Sequence, residues 1–165
     1  CIQESDEMAK RQIRVDDDVI LRKVSKEVEE VDDRIKQLIE DMKETMYASD
    51  GVGLAAVQVG VLKRIVVIDI GEGPVVLINP KILSRSGKKL DIEGCLSVTE
   101  YVGKVERPAK LKVTALDEDF KEFEYCARDL FARAVCHELD HLDGVLFTDR
   151  AQEIINKNDL KENSY

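Results

Sequence analysis

His137-Glu138-Leu139-Asp140-His141 sets two imidazoles four residues apart, with a carboxylate beside the first. On a helix, residues at that spacing share one face a single turn apart, so both rings can reach one cation. Glu138 then adjoins the first ligand and can touch a water bound to that cation. Neutral imidazole suits zinc or ferrous iron. A bound divalent ion lowers the pKa of its water from about 15.7 towards about 7, which makes hydroxide available at neutral pH. The chain has no other histidine. Leu139 and Leu142 supply core-facing positions, so the histidine face stays free for an ion. Metal-assisted hydrolysis is the chemistry implied.

Hydrolytic sites usually take three protein ligands and keep one position open. No histidine follows His141, and Glu153 and Glu162 stand in a polar tail. Upstream, Glu93-Gly94-Cys95-Leu96-Ser97 offers a thiolate in a tight, glycine-containing segment after a strand. Cys126 and Cys136 are rivals. Cys136 adjoins His137 and so points about 100° away around the helix. Cys126 ends a strand with no special turn and reads as structural. Plain core filling is the ordinary alternative for each thiol.

A third segment is Gly51-Val52-Gly53-Leu54-Ala55-Ala56-Val57-Gln58. Its small residues let a substrate backbone approach closely, and an extended stretch over residues 52–54 can pair with a peptide as an added strand. Gln58 supplies a neutral amide donor for a developing oxyanion. A phosphate loop is excluded, because no Lys-Ser/Thr follows and the strand–Gly–helix order is missing.

The elements that must hold these residues follow from periodicity. Over residues 31–46, apolar Val31, Ile35, Leu38, Ile39, Met42 and Met46 recur at helical spacing. Asp32 or Asp33 can cap the start, and Asp50-Gly51 marks the end. Residues 64–70 are a β-branched run closed by Gly71-Glu72-Gly73-Pro74. Residues 75–83 follow, interrupted by Asn79-Pro80, with Ser86-Gly87 as the next turn. Residues 111–116 and 120–125 flank Asp117-Glu118-Asp119 as a hairpin. From Asp129 the helical period returns through Leu130, Phe131, Ala134, Val135, Leu139 and Leu142, with Gly144 as its cap. The expected fold class is α+β: antiparallel sheets packed around a central metal-binding helix, with an N-terminal helix.

Composition bounds the rest. The 165 residues are 44% apolar and 36% charged, a profile for one globular domain. Residues 13–150 are read as the catalytic domain, 1–12 as an N-terminal extension and 151–165 as a polar tail. Within the extension, residues 1–7, ahead of the natural start at Met8, are read as a remnant. Net charge −9 argues against an extended phosphate-binding surface. Lys157 and Lys161 in the tail alternate with Asp159 and Glu162, so no basic patch is expected there. No apolar run reaches a membrane span, and Glu4, Asp6 and Glu7 do not fit a signal peptide. The cytosol is the expected compartment. Four cysteines are too sparse for a disulfide scaffold.

Together and in this order, the segments at residues 51–58, 93–97 and 137–144 resemble the signature of the peptide deformylases. The likeness runs over residues 13 to 150, and the spacing looks like the short bacterial type 1 form. The resemblance implies removal of the N-formyl group from N-formylmethionyl nascent peptides, with release of formate. It implies Cys95, His137 and His141 as ligands of Fe2+, with zinc, nickel or cobalt able to take its place. Metal-bound water would attack the formyl carbon, with Glu138 as general base and then acid. Gln58 and the Leu96 N–H would stabilise the oxyanion, Val52 and Gly53 would flank the peptide, and Val52 and Leu130 would line the methionine pocket. Because formyl is the smallest acyl group, a cramped carbonyl site can refuse larger ones.

The chain departs from the family pattern in places. Thr99, followed by Glu100 and Tyr101, replaces a common proline, and Asp16-Asp17-Asp18 replaces an early proline-containing stretch. The tail after Arg150 is short and polar, so a transient ribosome contact through a docking helix is unsupported by the sequence. Arg107 and Glu93 flank the Cys95 loop, either braced together or solvated. Two other readings use the same helix: a zinc endopeptidase with a different third ligand, and a non-catalytic peptide- or metal-binding protein.

Overall fold

The computed structural model describes residues 10–159. Cys1, Met8 and the remnant over residues 1–7 lie outside the described residues, as do Lys161 and Glu162.

Helix α1 (Asp33–Ala48) turns Ile35, Leu38, Ile39, Met42 and Met46 inward, the stripe expected from the sequence. Asp32 is its cap, accepting from the Ile35 amide at 2.9 Å, which satisfies a donor that the first turn leaves without a helical partner. At the far end Asp50 adopts φ 58°, and the Gly51 N–H donates to the Met46 carbonyl at 3.0 Å.

Three strands follow: β1 (Gly53–Ala55), β2 (Ile65–Ile68) and β3 (Val75–Ser86). Next come β4 (Lys89–Cys95), β5 (Val98–Arg107), β6 (Lys110–Leu116) and β7 (Glu122–Arg128). Helix α2 (Asp129–Leu142), a helical turn at Phe147–Arg150 and strand β8 (Glu153–Asn156) complete the order. Five strands form one antiparallel sheet, β1-β2-β3-β6-β7, and three form another, β4-β5-β8. The fold is α+β.

Strand β2 is buried at every residue. Val66 and Ile68 pack with α2 side chains such as Val135 and Leu139, whereas Ile65 and Val67 pack with Ile39 and Met42 of α1. A strand covered on both faces needs a continuous apolar run, and the sequence supplies one. Strand β3 runs through Asn79-Pro80 instead of stopping there. Its pairing with β6 shifts between Ile78 and Lys81, and Asn79 takes φ 51°. A bulge tolerates a proline, which has no ladder donor to give. The Asn79 amide also bonds both backbone groups of Val28, at 2.8 and 2.9 Å, and so clamps the N-terminal segment.

The second sheet is the part that periodicity hides. On β4 the usual alternation is inverted: Leu90 and Ile92 are 52% and 43% exposed, while Glu93 is 5% exposed. Within residues 151–165, read from the sequence as a polar tail, Glu153–Asn156 pair with residues 101–104 of β5. Leu21, Val98, Val105, Leu146 and Phe147 form a small core beneath this sheet. Gly144 ends α2 as expected, with φ 77°. A side chain there would run into the backbone of Arg22. Among the described residues no helix is long and apolar enough to cross a membrane.

Candidate metal centre

Arg133, His137 and His141 follow one another at steps of four along α2, so they share one stripe of the helix. Cys95 ends β4 and pairs with Val98 across a tight connection. Its Sγ lies 3.2 Å from His141 Nε2. The candidate ligand atoms of Cys95, His137 and His141 lie within 4.8 Å of one another. Cys126 is instead exposed on β7, and Cys136 is buried in the main core. The Ser97 amide donates to Cys95 Sγ at 3.4 Å, and Gln58 Nε2 lies 3.7 Å from it.

Glu93 orients the first histidine. Its Oε1 accepts from Arg107 Nη2 at 2.6 Å and contacts His137 Nδ1 at 2.7 Å. Its Oε2 accepts from Arg107 Nε at 3.1 Å and Arg133 Nη1 at 2.8 Å. The Glu93–Arg107 pair is therefore a buried brace, 5% and 4% exposed, not a solvated pair. Burial alone would raise the Glu93 carboxyl, but the bonds from His137 and Arg107, with their charges, outweigh it and hold it at about 2. An ionised Glu93 fixes His137 Nδ1 as a donor and leaves Nε2 available as a metal ligand. Asp140 extends the chain outward, bonding Arg107 Nη1 at 2.8 Å and Arg150 Nε at 2.6 Å. Breaking one partner of such a buried pair costs about 3–5 kcal/mol.

Residues 50–53, the end of β4 and α2 enclose a cavity of about 340 Å³. Val52, Gly53, Gln58, Cys95, Leu96, Leu130, His137 and Glu138 all line it. His141 completes the ligand group while being fully buried. The nine site residues implied by the resemblance are thus brought to one place, and the rival thiols Cys126 and Cys136 are not. A larger hollow of about 700 Å³ beside the start of α1 holds no cysteine or histidine.

Glu138 is 4% exposed, and its Oε1 has no protein partner. Burial pushes its carboxyl up to about 7. Burial works against a charged His137, yet Glu138, Cys95 and Glu93 raise its pKa well above the ordinary value. Burial, followed by the charge of His137, lowers that of His141. Gly53 is needed for close approach: a Cβ there would lie 2.6 Å from Glu138 Oε2. Gln58 is anchored at both ends, its Oε1 accepting from Ala55 N at 2.9 Å and its Nε2 donating to Ser97 Oγ at 3.0 Å.

Sequence reasoning missed Arg133 and Ser97. Arg133 stands four residues before His137, so its spacing carried a signal for the shared stripe. Nothing in the spacing marks Ser97 as the partner of Gln58.

One thiolate and two imidazoles, open on the side of the cavity, fit a borderline metal such as zinc or ferrous iron. The unpartnered carboxylate beside them fits a water or substrate held at that ion.

The polypeptide deformylase family profile matches residues 10–157. Peptide deformylase 1 of Clostridium acetobutylicum is 62% identical over 146 residues, covering 88% of this chain and 97% of the relative. The crystal structure of peptide deformylase from Thermotoga maritima superposes with a TM-score of 0.85 at 43% identity, covering 87% of this chain and 99% of that one. A Met-Ala-Ser-bound class I type b peptide deformylase from Acinetobacter baumannii superposes with a TM-score of 0.82 at 33% identity, covering 87% and 99%. The chain belongs to the peptide deformylase family, metal-dependent hydrolases that remove the N-formyl group from newly made polypeptides.

Proposed function

We propose that Cys95, His137 and His141 hold the hydrolytic ion, and that the cavity beside them takes the formylated methionine. One observation carries this reading: a buried, unpartnered Glu138 carboxylate stands next to three converging metal donors. When bound, a divalent ion lowers the pKa of a coordinated water and polarises a carbonyl. Glu138 takes up the proton lost from the attacking water and returns it to the departing amine. A carboxyl near about 7 can act in both directions at neutral pH. The Gln58 amide and the Leu96 N–H meet the oxyanion. Val52 and Gly53 lie along the peptide backbone, and the apolar sides of Val52 and Leu130 receive the methionine side chain. The relative solved with Met-Ala-Ser supports a peptide with methionine first. Formylated nascent chains place the reaction in the cytoplasm; no ribosome contact is proposed.

The ion we propose is ferrous iron, with zinc, nickel or cobalt as substitutes. Protein purified without oxygen is expected to hold stoichiometric iron and to release formate from a formyl-methionyl peptide. Its activity should then fall in air as Fe(II) or Cys95 oxidises. Zinc content with indifference to air would rule out iron. Absence of formate release at full metal occupancy would overturn the whole reading.

Gly53→Ala tests the close approach to Glu138. The added methyl displaces the carboxylate, and kcat is expected to fall about 10–100-fold while metal content and melting temperature hold. An unchanged kcat would show that the tight contact has no catalytic meaning.

A further inference from the structure

We infer that Lys157 selects substrates that carry a carboxylate beyond the formylated methionine. The inference rests on the cavity being the peptide site, as proposed above.

Lys157 lines the same cavity as Cys95, His137 and Glu138. It reaches there because β8 pairs with β5 through Val102–Ile155 and Tyr101–Asn156, which delivers the next residue to the cleft. Gly94, on the same wall, contributes no side chain, and a Cβ there would meet only Val102 Cγ1, at 3.4 Å. A long side chain has room to lie across that bare backbone.

The other cation in the wall is already engaged. Arg133 donates to Glu93 at 2.8 Å, to the Val105 carbonyl at 3.0 Å and to the Lys89 carbonyl at 2.9 Å. The Lys157 side chain makes no hydrogen bond or ion pair with any described residue. The acid that feels its charge is Asp16, whose carboxylate already accepts from Thr99 N at 3.0 Å and Thr99 Oγ1 at 2.8 Å. Asp50 lines the cavity beside Gly51 and Val52, so the cleft has an acid by β1 and an ammonium by β4.

The formyl group removes the positive charge of the substrate N-terminus. Any ionic recognition must therefore use a side chain further along or the far end of the peptide. The protein carries net charge −9, which repels anionic peptides at long range. An ammonium with no partner among the described residues offsets that repulsion locally. The recognised chemistry is a carboxylate, from an acidic side chain or from the C-terminus of a short peptide.

The test compares kcat/KM at low ionic strength for four peptides. They are formyl-Met-Ala-Ala amide, the same peptide as the free acid, formyl-Met-Glu-Ala amide and formyl-Met-Lys-Ala amide. Each is run with the metal-loaded parent, Lys157→Ala and Lys157→Glu. The parent is expected to favour the anionic over the cationic peptides about fivefold, less at high salt. Lys157→Ala should bring that ratio near unity, and Lys157→Glu should invert it. A gain confined to the free acid assigns the terminal carboxylate, and one confined to the glutamyl amide assigns the side chain; both support the inference. Formate release with the same ratios in all three proteins overturns it alone. No formate from any peptide overturns the reading of the cavity, and the inference with it.

Discussion

Cys95→Ala is expected to give a folded protein that retains no stoichiometric ion and releases formate at least about 10⁴-fold more slowly than the parent. The thiolate is the one candidate ligand from outside α2, and without it two imidazoles must hold the ion alone. Its Sγ stands at the cavity, where the Ser97 amide and Gln58 approach it, and it only borders the small core, so its loss removes little packing. Stability should change by no more than about 1 kcal/mol. Metal analysis, circular dichroism and the formate assay on the same sample separate the possibilities. Cys126→Ser, an exposed strand position, serves as the control and should keep both metal and activity. Retention of metal and formate release by Cys95→Ala would place the third ligand elsewhere.

Glu138→Gln should behave differently. The amide keeps the shape of the side chain beside Gly53 but cannot take up a proton. We expect kcat to fall about 10²–10⁴-fold with bound metal and KM little changed. Full metal content together with lost turnover is the signature that distinguishes a proton carrier from a ligand. A variant with parental kcat would show that this carboxylate carries no proton in the reaction.

The two helices and the histidine pair were legible as periodicity or residue type, whereas Cys95 joined the proposed ligand set only through the family resemblance. The stripe from Ile35 to Met46 and the four-residue step between His137 and His141 need no tertiary information. The buried β2 strand announced itself as a β-branched run. Strand β4 did not, because its alternation points the wrong way. Leu90 and Ile92 face outward while Glu93 faces the core, an arrangement stable only because Arg107, Arg133 and His137 wait there to meet the carboxylate. Those partners come from β5 and α2, so no local window contains the explanation. The Arg107–Glu93 brace was visible as a pair of charges, but its burial was not. Strand β8 escaped for a related reason: Glu153–Asn156 are all at least partly exposed and earn their place through backbone pairing with β5.

The inverted strand has a corollary. On its inward side, Glu93 holds Arg107, Arg133 and the proposed ligand His137 together, so a change there is expected to harm the core and the proposed metal site at once. Its outward side is under no such double duty. Leu90 and Ile92 support no interior, and Ile92 forms part of the cleft wall. Substitution at Ile92 is therefore expected to change what the cleft accepts without unsettling the buried side of β4.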